Sequence, residues 1–363
     1  VVGGSPIVPT TDFYYDPTYR YDGTYSGALT TITGGIRPAQ GLIMPEIVTD
    51  AQNVEFEFLG GRTGTQALHI RAVIDGKCCQ VQMLRFPGTV STRVFFKLTF
   101  PSVKQRRIKL EQEGCVDFFG VRLSTYTIAQ RPAGAYRSTF VAIGDSLTQG
   151  GQNTGDVAGS LYYCRLESHS YFQAKLLGCD SYINLGAGGT GWSDVVSTNK
   201  FIDRVPVALA ARPTVIGFFG SRNDFGRESQ VYPAVLAALS LCSEVPVVLT
   251  SGPQQAGYTT LSELVRKGTV AMGRTFLNLD GVAASPASNP TGHPTFAECI
   301  TLAKAAHAQT DAMVVQSRID AAFFARSQPT VTLTQLPSAP VASGTSMTYT
   351  ATVAGGQAGT VQF

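Results

Sequence analysis

Residues 138–150 read STFVAIGDSLTQG. Phe140 to Ile143 is a short apolar, partly β-branched run, the signature of a buried strand. The run breaks at Gly144 and delivers Asp145 and Ser146 to the strand's C-terminal end, the edge at which open α/β sheets bind ligands. Serine is weak at its free pKa, so Ser146 is a candidate nucleophile only if a base and an oxyanion site stand beside it. The alternative is plainer: Asp and Ser are favoured helix caps and could simply start the next helix.

Outward from this run, residues 136–326 alternate strands with helical segments. YINLGAGGTG at 182–191 is a strand followed by a glycine turn, TVIGFFGSRND at 214–224 a strand and loop, and PVVLTSGP at 246–253 a strand, with another at Thr275 to Asp280. Helical pieces are expected near Ser168–Leu177, Val205–Ala211 and Val231–Leu241, with a long closing helix over Ala297–Phe323. Such alternation implies a parallel sheet with helices on both faces. Over 36–131 the period is two: Val54, Phe56 and Phe58 alternate with glutamates, and Leu68, Ile70, Ala72 and Ile74 form one face. Short strands separated by Gly, Pro and Asp turns indicate an all-β sandwich of jelly-roll type, either packing mass beside the next domain or a carbohydrate-binding module. Residues 1–35, rich in Gly, Pro, Thr and Tyr, read as an N-terminal arm. Residues 327–363 read as the opening strands of an Ig-like β module, too short to close a sandwich, so the chain is expected to continue a longer one.

The 363 residues are 44 % hydrophobic and 15 % charged, a globular composition with room for several domains. A net charge of +3 does not suggest a nucleic-acid partner, and the cluster from Lys104 to Lys109 is expected to be a solvated edge or turn of a sheet. No apolar run reaches the length of a membrane span. Seven cysteines without C-x-x-C pairs are expected mostly as small buried residues, a Cys164–Cys179 disulfide being the alternative.

Four pieces fall in chain order at strand ends: Ser146 in GDSLTQG, the glycine turn 186–191, Ser221-Arg222-Asn223-Asp224, and His293-Pro294 before the closing helix. Together they would meet at one sheet edge. His293 would accept the Ser146 proton and return it to the leaving group. The Asn223 amide, a glycine N–H and the Ser146 N–H would stabilise the oxyanion.

This ordered set resembles the SGNH, or GDSL, family of serine esterases over about 190 residues. An N-terminal jelly roll before that domain is similar to the layout of the second family of carbohydrate esterases. The resemblance implies an SGNH (flavodoxin-like) three-layer α/β fold and an acyl-enzyme mechanism that removes O-acyl groups, chiefly acetyl, from carbohydrate. It implies Ser146 as nucleophile, His293 as base, and the Ser146 N–H, Gly189 and Asn223 as the oxyanion hole, with Gly188 competing for the glycine role. Two positions depart from the pattern. Ser221 stands where the third block carries Gly, and Pro290 where the fourth carries Asp. The third triad member is therefore open between Asn289, Asp280 and a backbone carbonyl that would give a Ser–His dyad.

Trp192, after the glycine turn, is a candidate ring for sugar stacking or a packing residue; Arg222 either contacts substrate or faces solvent. Tyr162, Tyr163 and Cys164, in the long loop 149–165, are candidates for the acyl-pocket wall. GAGGTG at 186–191 also fits G-x-G-x-x-G, but it is not in the first β-unit and Asp203 falls in a helix-like stretch, so no nucleotide cofactor is expected. No His/Cys/carboxylate set has metal-ligand spacing, so neither a metal nor any other cofactor is expected. His69 is expected on the polar face of a sandwich strand, His307 on the closing helix, and His169 at a helix start or lining the site. The expected partner is an acylated carbohydrate, in an extracellular setting. The alternatives are a short-chain lipid or general esterase, and a non-catalytic glycan-binding adhesion or tail component.

Overall fold

The computed structural model describes residues 30–32, 35–37, 42–43, 45–59, 68–79, 83–86, 93–113, 117–130, 138–153, 161–179, 181–193, 199–283, 292–310, 331–336, 348–353 and 357–361. They fall in two compact units, Val1–Ile319 and Asp320–Phe363.

The first unit opens with two antiparallel sheets. One holds β1 (Thr30–Ile32), β2 (Gly35–Arg37), β5 (Asn53–Leu59), β9 (Arg93–Thr99) and β11 (Asp117–Leu123) in the order β1-β2-β11-β5-β9. The other holds β3 (Leu42–Ile43), β4 (Glu46–Thr49), β6 (Leu68–Ile74), β7 (Lys77–Cys78), β8 (Leu84–Phe86), β10 (Arg106–Glu113) and β12 (Ala129–Gln130), with β10 between β4 and β6. Because strand side chains alternate, Val54, Phe56 and Phe58 of β5 meet Ile70 and Ala72 of β6 and Ile108 and Leu110 of β10 in one core.

The opposite face of β6 and β10 carries charge, and it is covered rather than solvated. Arg71 and Glu111 are 0 % and 1 % exposed and bonded at 2.8 Å. Tyr171 donates to Glu111 at 2.6 Å, and Arg71 reaches the Leu166 carbonyl at 2.9 Å. Glu113 accepts the Arg165 backbone N–H at 2.8 Å and pairs with its guanidinium. The expectation of a solvated Lys104–Lys109 cluster is corrected here: Arg106 and Lys109 are buried, while Lys104, Gln105 and Arg107 are exposed. Strand period marks a polar face but not what will cover it.

The chain then builds a parallel sheet from β13 (Thr139–Gly144), β16 (Ser181–Gly186), β17 (Val215–Phe219), β18 (Val247–Ser251) and β19 (Thr275–Leu277), ordered β16-β13-β17-β18-β19. A two-stranded hairpin, β14 (Gly151–Asn153) and β15 (Leu161–Tyr163), follows β13. The five parallel strands run with α1 (His169–Leu176), α2 (Val205–Ala210), α3 (Glu228–Ser240), α4 (Thr259–Ala271) and α5 (Phe296–Gln309). Both faces of the sheet are apolar, as a buried parallel sheet requires. Phe140, Ala142, Phe219 and Leu249 face a core shared with α1 and α5. Val141, Ile143, Ile216 and Phe218 face one shared with α2, α3 and α4.

Taken in chain order the strands run 2-1-3-4-5, so β13 is the point where winding reverses, and Ser146 follows it directly. Helix α4 goes beyond the sequence reading. Its β-branched residues and Gly268 weaken the helical signal, but Leu261, Val265 and Thr269 recur every four residues on the buried face. The closing helix is described as far as Gln309, and residues 311–323 of its expected range lie outside the described residues. Cys164 and Cys179 are buried free thiols, which replaces the disulfide alternative. Cys164 instead packs its sulfur 3.6 Å from that of Met83.

In the second unit, β20 (Val331–Leu336), β21 (Thr348–Val353) and β22 (Gln357–Val361) form an antiparallel sheet.

Candidate active site

Ser146 leaves the switch-point strand half-buried, its backbone in the tight turn after β13. His293 arrives from the segment before α5, and its Nε2 lies 2.7 Å from Ser146 Oγ across 147 residues of sequence. For Nε2 to accept the serine proton, the ring hydrogen must sit on Nδ1.

The backbone beside His293 is clamped. The Gly292 carbonyl accepts Arg222 Nη1 at 2.9 Å and also the Gln255 side-chain amide. Arg222 follows β17 and Gln255 follows β18, so two neighbouring strand ends hold the histidine's chain. Gly292 sits at φ +63°, which favours glycine, and a Cβ there would stand 2.2 Å from Arg222 Nη1 and displace it. Arg222, expected to contact substrate or face solvent, is thus bonded to the His293 segment. Neither Arg222 nor Gln255 was assigned this role from sequence, where the only signal was a glycine directly before the histidine.

Pro290 and Asn289, at and beside the expected position of a third triad member, lie outside the described residues. Asp280 is not bonded to His293, and its Oδ1 is buried without a hydrogen-bond partner among the described residues.

Across from His293, the backbone at Gly188 lies against the nucleophile, so close that a Cβ there would come within 3.6 Å of Ser146 Cβ. The Gly188 N–H donates to Gln149 Oε1 at 2.9 Å, and Gly189 turns the chain at φ +75°. Asn223 donates one amide hydrogen to the Thr190 carbonyl at 2.9 Å, and a primary amide keeps a second. Asp224 fixes this wall: its carboxylate accepts Trp192 N, Ser193 N, Ser193 Oγ and Ser221 Oγ at 2.6–3.1 Å. Ser221, where the SGNH pattern carries glycine, adopts φ +113°, a region that L side chains rarely enter.

Beneath the serine, Asp145 is 1 % exposed and takes the Leu147 N–H at 2.9 Å. Burial, together with nearby Asp224, pushes its carboxyl up to about 6, although the Leu147 N–H, Arg222 and Arg204 pull the other way. Its contact with the next strand requires Gly220, at φ +130°, because a Cβ there would stand 2.5 Å from Asp145 Oδ2. Arg204, equally buried, binds the Gly144 carbonyl at 2.7 Å, the Leu185 carbonyl, and Thr190 Oγ1 at 2.8 Å. It ties the first two strand ends to the glycine turn.

Trp192 is corrected. It is 1 % exposed and packs on Phe218 and Phe201 at 5.2 and 5.0 Å, so no face is left for a sugar. His169 opens α1 but is fully buried, edge-on to Phe219 at 5.0 Å with Nε2 3.1 Å from Gln254 Nε2. Burial pushes its pKa down to about 3, and it does not line the site. His69 sits on the covered face of β6 at 3 % exposure, and His307 lies on α5. The side chains of Tyr162 and Tyr163 lie outside those described, whereas Cys164 belongs to the core and not to a pocket wall. A cleft of about 440 Å³ between β4, β6, β10 and the end of α1 contains none of the site residues. Among the described residues, no group of His, Cys, Asp and Glu could hold a metal ion, and no helix is long and apolar enough to cross a membrane.

A scan against protein-family models and a search of curated proteins return no match. Solved structures do match. A family-two carbohydrate esterase from Clostridium thermocellum, in complex with cellohexaose, is 15 % identical with a TM-score of 0.57, covering 82 % of this chain and 97 % of that one. An acetyl xylan esterase from the rumen bacterium Butyrivibrio proteoclasticus is 13 % identical with a TM-score of 0.54, covering 77 % and 92 %. A salicylyl-acyltransferase from a tetracycline biosynthetic pathway is 12 % identical with a TM-score of 0.54, covering 83 % and 96 %. The chain has the fold of the family-two carbohydrate esterases. At these identities the likeness is one of fold.

Proposed function

We propose that the protein is a serine esterase that removes O-acyl groups, chiefly acetyl, from carbohydrate. The observation that carries this reading is the 2.7 Å approach of His293 Nε2 to Ser146 Oγ at the switch point of the parallel sheet. Ser146 Oγ attacks the ester carbonyl as His293 Nε2 takes its proton, and the oxyanion is held by the N–H groups of Ser146 and Gly189 and the second Asn223 amide hydrogen. The tetrahedral intermediate collapses, the C–O bond to the sugar breaks, and His293 returns the proton to the departing sugar oxygen. Water, deprotonated by His293, then cleaves the acyl-enzyme and regenerates Ser146.

The carbohydrate half of the reading is supported by the fold shared with carbohydrate esterases, and a polymeric glycan substrate would place the enzyme outside the cell. The acyltransferase of the same fold favours one variation, in which a second alcohol replaces water in the last step.

Hydrolysis of a nitrophenyl ester series from acetyl to octanoyl tests the chemistry. Acetyl turnover is expected to be fastest and to fall at least ~10³-fold in Ser146→Ala and in His293→Ala. Turnover that survives Ser146→Ala overturns the mechanism, and a preference for octanoyl overturns the acetyl assignment.

A further inference from the structure

With Trp192 buried, the aromatic surface at the catalytic edge lies elsewhere. Phe225 directly follows the Arg222–Asp224 turn and is 72 % exposed, more than any other large apolar side chain described. Tyr258 comes from the loop after β18, immediately before α4. The two rings meet edge to face, with centroids 6.1 Å apart and planes at 90°. Arg222 links them to the chemistry: its guanidinium lies 6.0 Å from the Tyr258 ring centroid and bonds the Gly292 carbonyl beside His293.

A single exposed Phe needs no explanation. Here, however, two rings from successive strand ends converge at the edge where open α/β sheets bind ligands. The other strongly exposed apolar side chains lie on the sandwich or along α1, α3 and α4. Tyr258 is half-buried and braces the Phe225 ring, most of whose surface stays exposed. The π face of an aromatic ring is negative. It suits the C–H face of a pyranose, whose hydroxyls then stay in water.

We propose that Phe225, braced by Tyr258, is a sugar-ring subsite that receives a pyranose next to the acylated one and so sets the preference for oligosaccharide over simple esters. This rests on the esterase reading above. The subsite touches none of the proton-transfer groups, so it acts on affinity for the sugar chain and not on the chemical step.

The test compares kcat and KM of the full chain, Phe225→Ala and Phe225→Tyr on nitrophenyl acetate and on a partially acetylated β-1,4-xylo-oligosaccharide. Phe225→Ala is expected to raise KM for the oligosaccharide about tenfold with kcat unchanged, to leave nitrophenyl acetate untouched, and to be rescued by Phe225→Tyr. Equal effects on both substrates, or none on the oligosaccharide, overturn the subsite. Turnover of nitrophenyl acetate that depends on Ser146, with no cleavage of the oligosaccharide by wild type, upholds the esterase chemistry and overturns the subsite. If neither ester is cleaved, the esterase reading fails and the subsite is judged by binding of the unacetylated oligosaccharide. Binding lost in Phe225→Ala upholds it, and equal binding overturns it.

Discussion

Between the second sandwich sheet and α1, Arg71 and Glu111 are buried as a pair, with Tyr171 and Lys175 adding further contacts to the same carboxylate. Beneath Ser146, Asp145 is buried as deeply but takes one backbone hydrogen bond and no ion pair. The two carboxyls respond in opposite directions. Burial pushes Glu111 up, but the charges of Lys175, Arg71 and Lys109 and the Tyr171 hydroxyl outweigh it and hold the group well below the usual range. For Asp145 burial wins, and the group rises to about 6. A fully paired charge here joins two layers of the fold, while one that Arg222 and Arg204 only partly offset sits under the reacting serine, the kind of place where proteins retain local cost.

The largest effect should come from breaking the compensated pair. Glu111→Gln leaves Arg71 buried without its counter-charge and should lower unfolding free energy by about 3–5 kcal/mol, read from urea denaturation. The double change Arg71→Met with Glu111→Leu should recover most of that loss, since apolar replacements of a buried pair are often neutral. If Glu111→Gln costs less than about 1 kcal/mol, the interface is not held by this pair and the contrast with Asp145 disappears.

The second test uses pH. The folded-state pKa of Asp145 lies above its ordinary 3.8, so its contribution to stability is fully present below that value and is lost as pH rises through about 6. Asp145→Asn keeps an acceptor for the Leu147 N–H and cannot ionise. Its unfolding free energy relative to wild type should therefore improve by about 3 kcal/mol between roughly pH 3 and pH 8. A difference that does not vary with pH would show that Asp145 is compensated after all.

How far such contrasts can be read from sequence depends on range. The parallel strands were legible because Phe140–Ile143, Val215–Phe219 and Val247–Ser251 are apolar runs bounded by Gly, Pro and Ser. Ser146 and His293 were legible as candidates because their motifs stand at strand ends in order. The Arg222 and Gln255 bonds to Gly292 span 70 and 37 residues and leave no local pattern. Trp192 follows the glycine turn, a position that looks like a rim, but two bonds to the Asp224 carboxylate at Trp192 N and Ser193 N fold it inward onto Phe218. Alternation likewise identified the polar face of β6, with His69 on it, without revealing that α1 would cover it.

Ser221 offers the smallest effect and the sharpest one about strain at the catalytic edge. At φ +113° and ψ 0° its backbone should cost on the order of 1–3 kcal/mol, while its hydroxyl returns a bond to the buried Asp224 carboxylate at 2.9 Å. Ser221→Ala loses the bond and keeps the strain. Ser221→Gly loses the bond and releases the strain, less the added freedom of glycine in the unfolded chain. The glycine variant should therefore be more stable than the alanine variant by about 1–2 kcal/mol in the same urea titration, with ester turnover at Ser146 retained in both. Equal stabilities would mean that this backbone carries no strain, and that serine in place of the SGNH pattern's glycine is neutral. The cost retained at the catalytic edge would then lie in the buried Asp145 alone.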